Sequence, residues 1–228
     1  NFEIAPEVLT SMKDIAHRIS IISAERVREE FTKIIMSPNP RIGITILVDT
    51  GLADIVLPEI PKLRLEVDEH HHHKDVYEHS ITVLEQAIQH EDRLGGPNLV
   101  IRLAALLHDI GKPKTRAFIE GGGVSFHHHE VVGARLVKKR LQALRFDNDT
   151  IDAVELLTAL HLRFHGYGEG EWTDSAVRRY VRDAGDFITH LHVLTRADCT
   201  TRNKAKAARL SATYDSLEAR IDLLMEQE

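Results

Sequence analysis

The stretch Leu106-Leu107-His108-Asp109-Ile110-Gly111-Lys112-Pro113 decides how this chain is read. It closes an apolar run, Leu99 to Leu107, that only Arg102 interrupts. A run of that length without a polar face reads as a buried helix. Gly111 and Pro113 follow at once and predict that the helix stops there. The helix thus delivers an adjacent imidazole and carboxylate at its C-terminal end. Neighbouring side chains on a helix point about 100° apart, so His108 and Asp109 can reach one cavity and ligate one metal ion, or two adjacent ones. For an isolated pair a helix-capping His-Asp hydrogen bond is the commoner reading. The further His and Asp residues that the chain places in apolar helical settings favour the metal.

Outward from that stretch the pattern is helical on both sides. Asp75 to Glu91 carries Val76, Ile81, Val83, Leu84, Ala87 and Ile88 at helical spacing, with His79 one turn after Asp75. Gly95-Gly96-Pro97 marks the turn into the apolar run. After Pro113, Ala117-Phe118-Ile119 and Val124-Ser125-Phe126 flank Gly121-Gly122-Gly123 and predict a small β-hairpin. Helices are expected from His129 to Leu144, from an Asp147 or Asp149 cap to His161, from Thr173 or Asp174, from Phe187 to Asp198, and over Ala205–Met225 with Leu210, Tyr214, Leu217, Ile221 and Leu224 as its seam. Towards the N-terminus, residues 3–19 repeat Val8, Met12, Ile15 and Ile19 as one amphipathic helix, and Ser23 caps a second one with Val27, Phe31, Ile34 and Ile35 inward. Pro38-Asn39-Pro40 ends it, residues 41–60 suit two short helices, and Pro58 and Pro61 mark a boundary. The expected fold class is all-α: a helical bundle over 1–64, then a second helical domain over 65–228 with one small β-hairpin.

Composition narrows the functional classes. The 228 residues suffice for one large domain or two modest ones, and a 43% hydrophobic fraction is globular. A net charge of -6 gives no global attraction to nucleic acid or membrane. The single cysteine, Cys199, excludes an internal disulfide framework and fits a reducing compartment, so a cytoplasmic location is expected. No apolar run approaches the ~20 residues of a membrane span, and no basic-then-apolar leader opens the chain. The chain starts at Asn1 rather than Met, so residue 1 is not expected to be the start of the gene. Histidine is the outlier, with 15 residues, clustered at 70–73 and 127–129 and then spaced at 161, 165, 190 and 192. The 70–73 run reads as a polar loop, and His165, His190 and His192 as structural or exposed.

In order, the chain reads His79, His108-Asp109, His129, His161, Asp198, each on or near a helix end. With Tyr77-Glu78-His79-Ser80-Ile81, Leu106 to Lys112 and Arg196-Ala197-Asp198 as settings, this resembles the HD superfamily of metal-dependent phosphohydrolases over about residues 66–210. The resemblance implies one or two divalent ions (Mn, Fe, Co, Ni, Zn or Mg) held by His79, His108, Asp109, His129, His161 and Asp198. It makes Asp109 the bridging and catalytic carboxylate. Neutral imidazole and carboxylate are the ligands such ions take. Lys112 and Arg163 are candidates to bind the substrate's phosphate, and Lys112 is also a candidate catalytic residue. His129 is preferred over His128 because it precedes Glu130 and a Gly133-Ala134 pair, as the family pattern requires.

A second resemblance covers residues 1–64. Ile19 to Val27, Glu29 to Ile34 and Gly51-Leu52 with Leu57-Pro58-Glu59-Ile60 are similar to the helical neck of the bacterial poly(A) polymerase and CCA-adding tRNA nucleotidyltransferase family. That family's nucleotidyl-transfer head combines a Gly-Ser loop with a paired Asp-x-Asp, and this combination is missing here. The chain therefore resembles the C-terminal part of such an enzyme and is not expected to add CCA or poly(A) by itself. The resemblance implies a phosphohydrolase acting on phosphomonoesters or phosphodiesters, with 2′,3′-cyclic and RNA 3′ ends as candidate substrates. The alternative is a non-catalytic RNA- or tRNA-gripping body with a structural metal. Arg135, Lys138, Lys139, Arg140 and Arg145, and Arg202, Lys204, Lys206 and Arg209, are candidate phosphate contacts. An HD-GYP-type phosphodiesterase fits less well, because Gly166-Tyr167-Gly168 lacks the proline.

Overall fold

Side-chain caps open several helices of a computed structural model that describes residues 3–65, 75–121, 123–167 and 172–226. The first segment comprises α1 (Pro6–Ile15), a 3-10 turn (Ala16–Ile21), α2 (Ala24–Met36), α3 (Pro40–Asp49) and α4 (Leu52–Val56). Ser23 caps α2 by accepting from the Arg26 N–H, as its position predicts, and Pro40 sits in the first turn of α3, where its missing N–H costs nothing. The remainder comprises α5 (Val76–Gln89), a 3-10 turn (Glu91–Leu94), α6 (Leu99–Leu107), α7 (Lys112–Thr115), α8 (His129–Ala143), α9 (Asn148–Leu160), α10 (Asp174–Ala184), α11 (Ile188–Asp198) and α12 (Lys204–Met225). Asp75, Asn98, Asp147, Thr173 and Asn203 each cap the helix that follows, which settles Asp147 over Asp149 and Thr173 over Asp174. Strands β1 (Ala117–Phe118) and β2 (Val124–Ser125) form the expected hairpin, antiparallel with Ala117 opposite Ser125 and Phe118 opposite Val124. Among the described residues the fold is all-α apart from this hairpin. The His70–His73 run and Gly122 and Gly168 lie outside the described residues. Among the described residues no helix is long and apolar enough to cross a membrane.

Helix α6 is the axis of the packing. Ile101 through Leu107 are all buried, and α2, α5, α9 and α11 pack around them. Each fully buried Leu or Ile of this kind contributes about 1.5–3 kcal/mol. Two expectations about its end are corrected. Gly111 is not a left-handed stop: its φ of -75° is helical, and a Cβ there would lie 2.1 Å from the His129 carbonyl oxygen and 2.7 Å from the Gly133 nitrogen. Gly111 thus lets the backbone after α6 touch the start of α8, which brings Asp109 beside His129. Pro113 opens α7 rather than ending α6. A third correction concerns residues 3–19. The helix ends at Ile15, continues as the 3-10 turn and buries none of its own residues, with Val8 and Ile15 about half exposed. Periodicity defined an apolar face but could not supply a partner for it.

The first segment is locked to the helices that carry the site by three arginines. Arg41 of α3 forks Glu85 of α5 at 2.7 and 2.8 Å and reaches Glu78 at 2.7 Å. Arg102 of α6 donates to the carbonyls of Ile35 and Ser37, both at 2.9 Å. Arg140 of α8 forks Glu59 at 2.8 and 3.0 Å. Arg140 is therefore committed to this seam, and Lys138 pairs with Glu155 at 2.8 Å, so two cations expected to contact phosphate are engaged within the protein. Arg135, Lys139, Arg202, Lys204, Lys206 and Arg209 are exposed.

Candidate metal centre

Helix ends deliver every candidate ligand. His79 stands near the start of α5, His108 and Asp109 follow the end of α6, and His129 opens α8. His161 follows α9, and Asp198 ends α11. The structure brings all six together. His79 Nε2 lies 2.9 Å from Asp198 Oδ1 and 3.6 Å from Asp109 Oδ2, and His108 Nε2 lies 3.3 Å from Asp109 Oδ2 and 3.6 Å from Asp198 Oδ1. On the other side of the same carboxylate, Asp109 Oδ1 is 3.2 Å from His129 Nε2 and 3.9 Å from His161 Nε2. Two ligand groups result, His79-His108-Asp109 and Asp109-His129-His161, and Asp109 belongs to both.

The ring orientations are fixed by the backbone. His108 Nδ1 donates to the Ala105 carbonyl at 2.8 Å, His129 Nδ1 to Phe126 at 2.9 Å, and His161 Nδ1 to Thr158 at 2.7 Å. A proton held on Nδ1 leaves the Nε2 lone pair facing inward, which is how metal-ligating histidines are oriented. His129 Nε2 and His161 Nε2 face each other at 3.3 Å, two lone pairs that only a shared proton or cation reconciles. His108 Nε2 is buried with no hydrogen-bond partner of acceptable geometry. His79 Nδ1 is placed by Thr200 Oγ1 at 3.2 Å. The donor set fits a divalent ion of the imidazole- and carboxylate-preferring kind.

The electrostatics agree. Burial would raise the Asp109 carboxyl, but His108, His129 and Lys112 outweigh it and hold it well below the usual carboxylate range. Asp198 is held down in the same way, against burial, by His108 and His79. Burial works against a charged His108, yet Asp109 and Asp198 outweigh it and push its pKa up to about 10, while burial and the neighbouring His108 charge push His161 down to about 3. Two ionised carboxylates therefore draw positive charge into the cluster, and in an ion's place a proton on His108 supplies it.

Lys112 Nζ lies 2.6 Å from Asp109 Oδ2, at the rim of the cluster. Arg163 is not brought to it: its half-exposed guanidinium pairs with Asp183 at 3.4 Å. His128 is exposed and left-handed at φ 60°, whereas His129 is buried in the cluster. Thr200 escaped sequence reasoning, because nothing in a threonine signals a supporting role, and Gly133, singled out only for the family pattern, abuts Gly111.

An all-α domain that gathers His and Asp ligands from five helix ends around one shared carboxylate defines a class, the HD-type metal domain. The chain belongs to the HD domain family, whose model matches residues 76–203. Residues 1–63 match a model described as the probable RNA and SrmB-binding site of polymerase A, so the two matches follow in the expected order, neck before HD domain. The chain is 30% identical over 204 residues to the A-adding tRNA nucleotidyltransferase of Deinococcus radiodurans, covering 87% of this chain and 45% of that protein. It is 34% identical over 187 residues to the CC-adding tRNA nucleotidyltransferase of Thermus thermophilus (80% and 41%). With the multifunctional CCA protein of Neisseria meningitidis the identity is 33% over 173 residues (74% and 39%). The chain spans less than half the length of these relatives.

Proposed function

We propose that this chain is a metal-dependent phosphohydrolase carried on an RNA-binding neck, with residues 1–64 as the neck and 65–228 as the hydrolase domain. The observation that carries this reading is Asp109, whose two oxygens face two separate sets of oriented imidazoles. His79, His108, Asp109 and Asp198 would hold one divalent ion, and Asp109, His129 and His161 a second. Such ions neutralise phosphoryl charge and acidify water at neutral pH. The chain's own residues do the rest. Backbone carbonyls hold the imidazoles in the ligating tautomer, and Asp109 sets the separation of the two halves. The Lys112 ammonium is close enough to this carboxylate to turn towards a bound phosphate. Arg163, occupied by Asp183, is proposed as a contact only for a substrate large enough to reach it.

Phosphomonoesters and 2′,3′-cyclic or RNA 3′-end phosphodiesters are the proposed substrates, and RNA, tRNA in particular, is the proposed partner of the neck. The relatives are named for tRNA nucleotide addition. That activity is not proposed for this chain alone, since no Gly-Ser loop precedes an Asp-x-Asp pair in it. Elemental analysis and anomalous scattering of the purified protein, with a phosphatase and phosphodiesterase panel on the same sample, test the reading. One or two equivalents of a divalent ion and metal-dependent hydrolysis are expected. A metallated protein that cleaves no ester but binds tRNA would leave the second reading, an RNA-gripping body with a structural ion, which the match over residues 1–63 favours.

A further inference from the structure

The hairpin between Asp109 and His129 has no part in holding an ion, yet both its stems leave from the metal centre. On one side Lys112 Nζ touches Asp109, and on the other the Phe126 carbonyl accepts from His129 Nδ1. The hairpin therefore stands at the rim of the cluster. Its outer part presents Phe118 at 69% exposure and Ile119 at 51%, large apolar side chains turned to solvent. The Arg116 guanidinium lies 4.9 Å over the Phe118 ring, and Lys112 Nζ lies 5.7 Å from the centre of the Phe126 ring. Cross-strand geometry connects these two pairs. Phe118 lies opposite Val124, and Phe126 follows β2 two residues further on. Lys112, Lys114 and Arg116 follow one another in the chain between Asp109 and the exposed Phe118 ring, with Lys112 beside the carboxylate and Arg116 beside the ring.

Cations tracking a backbone beside an aromatic face are the elements with which proteins hold single-stranded nucleotides. We infer that the hairpin is a nucleobase platform: a base stacks on Phe118 while the attached phosphate lies by Lys112 at the metal centre. A protein partner would want a broader apolar patch, and the Arg116 guanidinium beside Phe118 with Lys112 beside Asp109 favours a phosphorylated ligand. The inference rests on the phosphate-handling reading of the centre, and names the part of the ligand that the hairpin grips.

The test compares adenosine 5′-monophosphate with ribose 5-phosphate, which lacks only the base, on the metal-loaded chain. Affinities are measured by calorimetry and hydrolysis is followed separately. Phe118 is exposed, so Phe118→Ala should fold. The expected result is that the preference for the nucleotide over ribose 5-phosphate falls by about tenfold, the loss typical of one stacked base. Phe118→Trp should keep the preference, and its added fluorescence should be quenched by the nucleotide relative to the wild-type protein. An unchanged preference in Phe118→Ala, or equal weakening of both ligands, overturns the platform, as does a wild-type protein with no preference for the base. Loss of self-association in Phe118→Ala without change in preference would assign the patch to a protein contact instead. Hydrolysis separates the two readings. A nucleotide preference that depends on Phe118 without any ester cleavage keeps the platform and removes the hydrolase. Cleavage indifferent to the base does the reverse.

Discussion

Helix α6 carries buried charge at two places, and the two are built in opposite ways. Near its start Arg102 is 3% exposed and completely engaged: Nε and Nη2 fork Glu91 at 2.7 and 2.8 Å, and Nη1 takes two carbonyls of the neck. Glu91 in turn accepts from the Asn98 N–H at 2.9 Å. At the end of the same helix, His108 and Asp109 are as deeply buried, yet the inward-facing His108 Nε2 is left without a hydrogen-bond partner. A buried ion pair satisfied by its own fold fixes how two segments sit together. A buried cluster whose lone pairs converge is incomplete without a cation. Burial therefore does not distinguish structural charge from chemical charge; the difference lies in whether the hydrogen bonds close.

The largest effect is expected where the cluster is open. Asp109→Asn keeps the side chain's size but removes the charge that both halves share, so it should lose hydrolysis to background and most of its bound metal. The helices should survive, because the ring nitrogens remain tied to their carbonyls. Metal content, circular dichroism and phosphatase rate on one preparation check this, and a fully metallated, active variant would remove Asp109 from the bridging role.

Next comes the closed pair. Arg102→Met leaves Glu91 buried without its partner and should cost about 3–5 kcal/mol in urea unfolding, with metal binding retained in the folded fraction. Adding Glu91→Leu should recover much of that loss. If the single variant instead cost little, the seam would not be the lock that its geometry describes. Lys112→Ala lies between the two cases. It should keep the metal and weaken transition-state binding by about 1–3 kcal/mol, the size of one charge-assisted hydrogen bond, read as a fall in kcat/KM.

The contrast between open and closed charge was only half legible in the sequence. His108-Asp109 stood out because two ligand-type residues ended an apolar run, and the helices carrying His79, His129, His161 and Asp198 were legible from their periodicity and caps. Arg102 read merely as an interruption of that run. Its partners are Glu91, which falls just past the end of α5, and the carbonyls of Ile35 and Ser37, about 65 residues earlier, and no local pattern encodes such a pairing. Arg163 was half legible for the same reason: its position beside His161 suggested the site, and its pairing with Asp183 on α10 is set by packing. Gly111 was noticed for the wrong property, since a helix stop and a close backbone approach leave the same letter. Local chemistry is written in neighbouring residues, whereas the partner that neutralises a charge is set by packing between elements.

A third buried site makes the smallest test and the sharpest one, because it shares the orphan nitrogen of the metal centre without its carboxylate pair. His192 on α11 stacks on Tyr180 with ring centres 5.8 Å apart, and its Nε2 is buried without a hydrogen-bond partner. Burial pushes its pKa down to about 4, with Arg93 and Arg196 adding to the shift and Glu218, 3.5 Å from Nδ1, opposing it. The unfolded chain binds this proton near pH 6.5. Between pH 6.5 and about 4 the unfolded state therefore carries more protons than the folded one, and stability falls as pH falls through that window. By pH 5 the loss from this residue should be about 2 kcal/mol. His192→Phe keeps a ring against Tyr180 and cannot take a proton, so the difference in urea stability between pH 7 and pH 5 should shrink by that amount relative to wild type. His108, raised by its carboxylates, titrates in the opposite sense and is common to both proteins, so it cancels. An unchanged pH slope in His192→Phe would mean that Glu218 accepts the imidazolium in the fold. The nitrogen at His192 would then be closed by charge, and an unpartnered ring nitrogen would no longer by itself mark a site open to a cation.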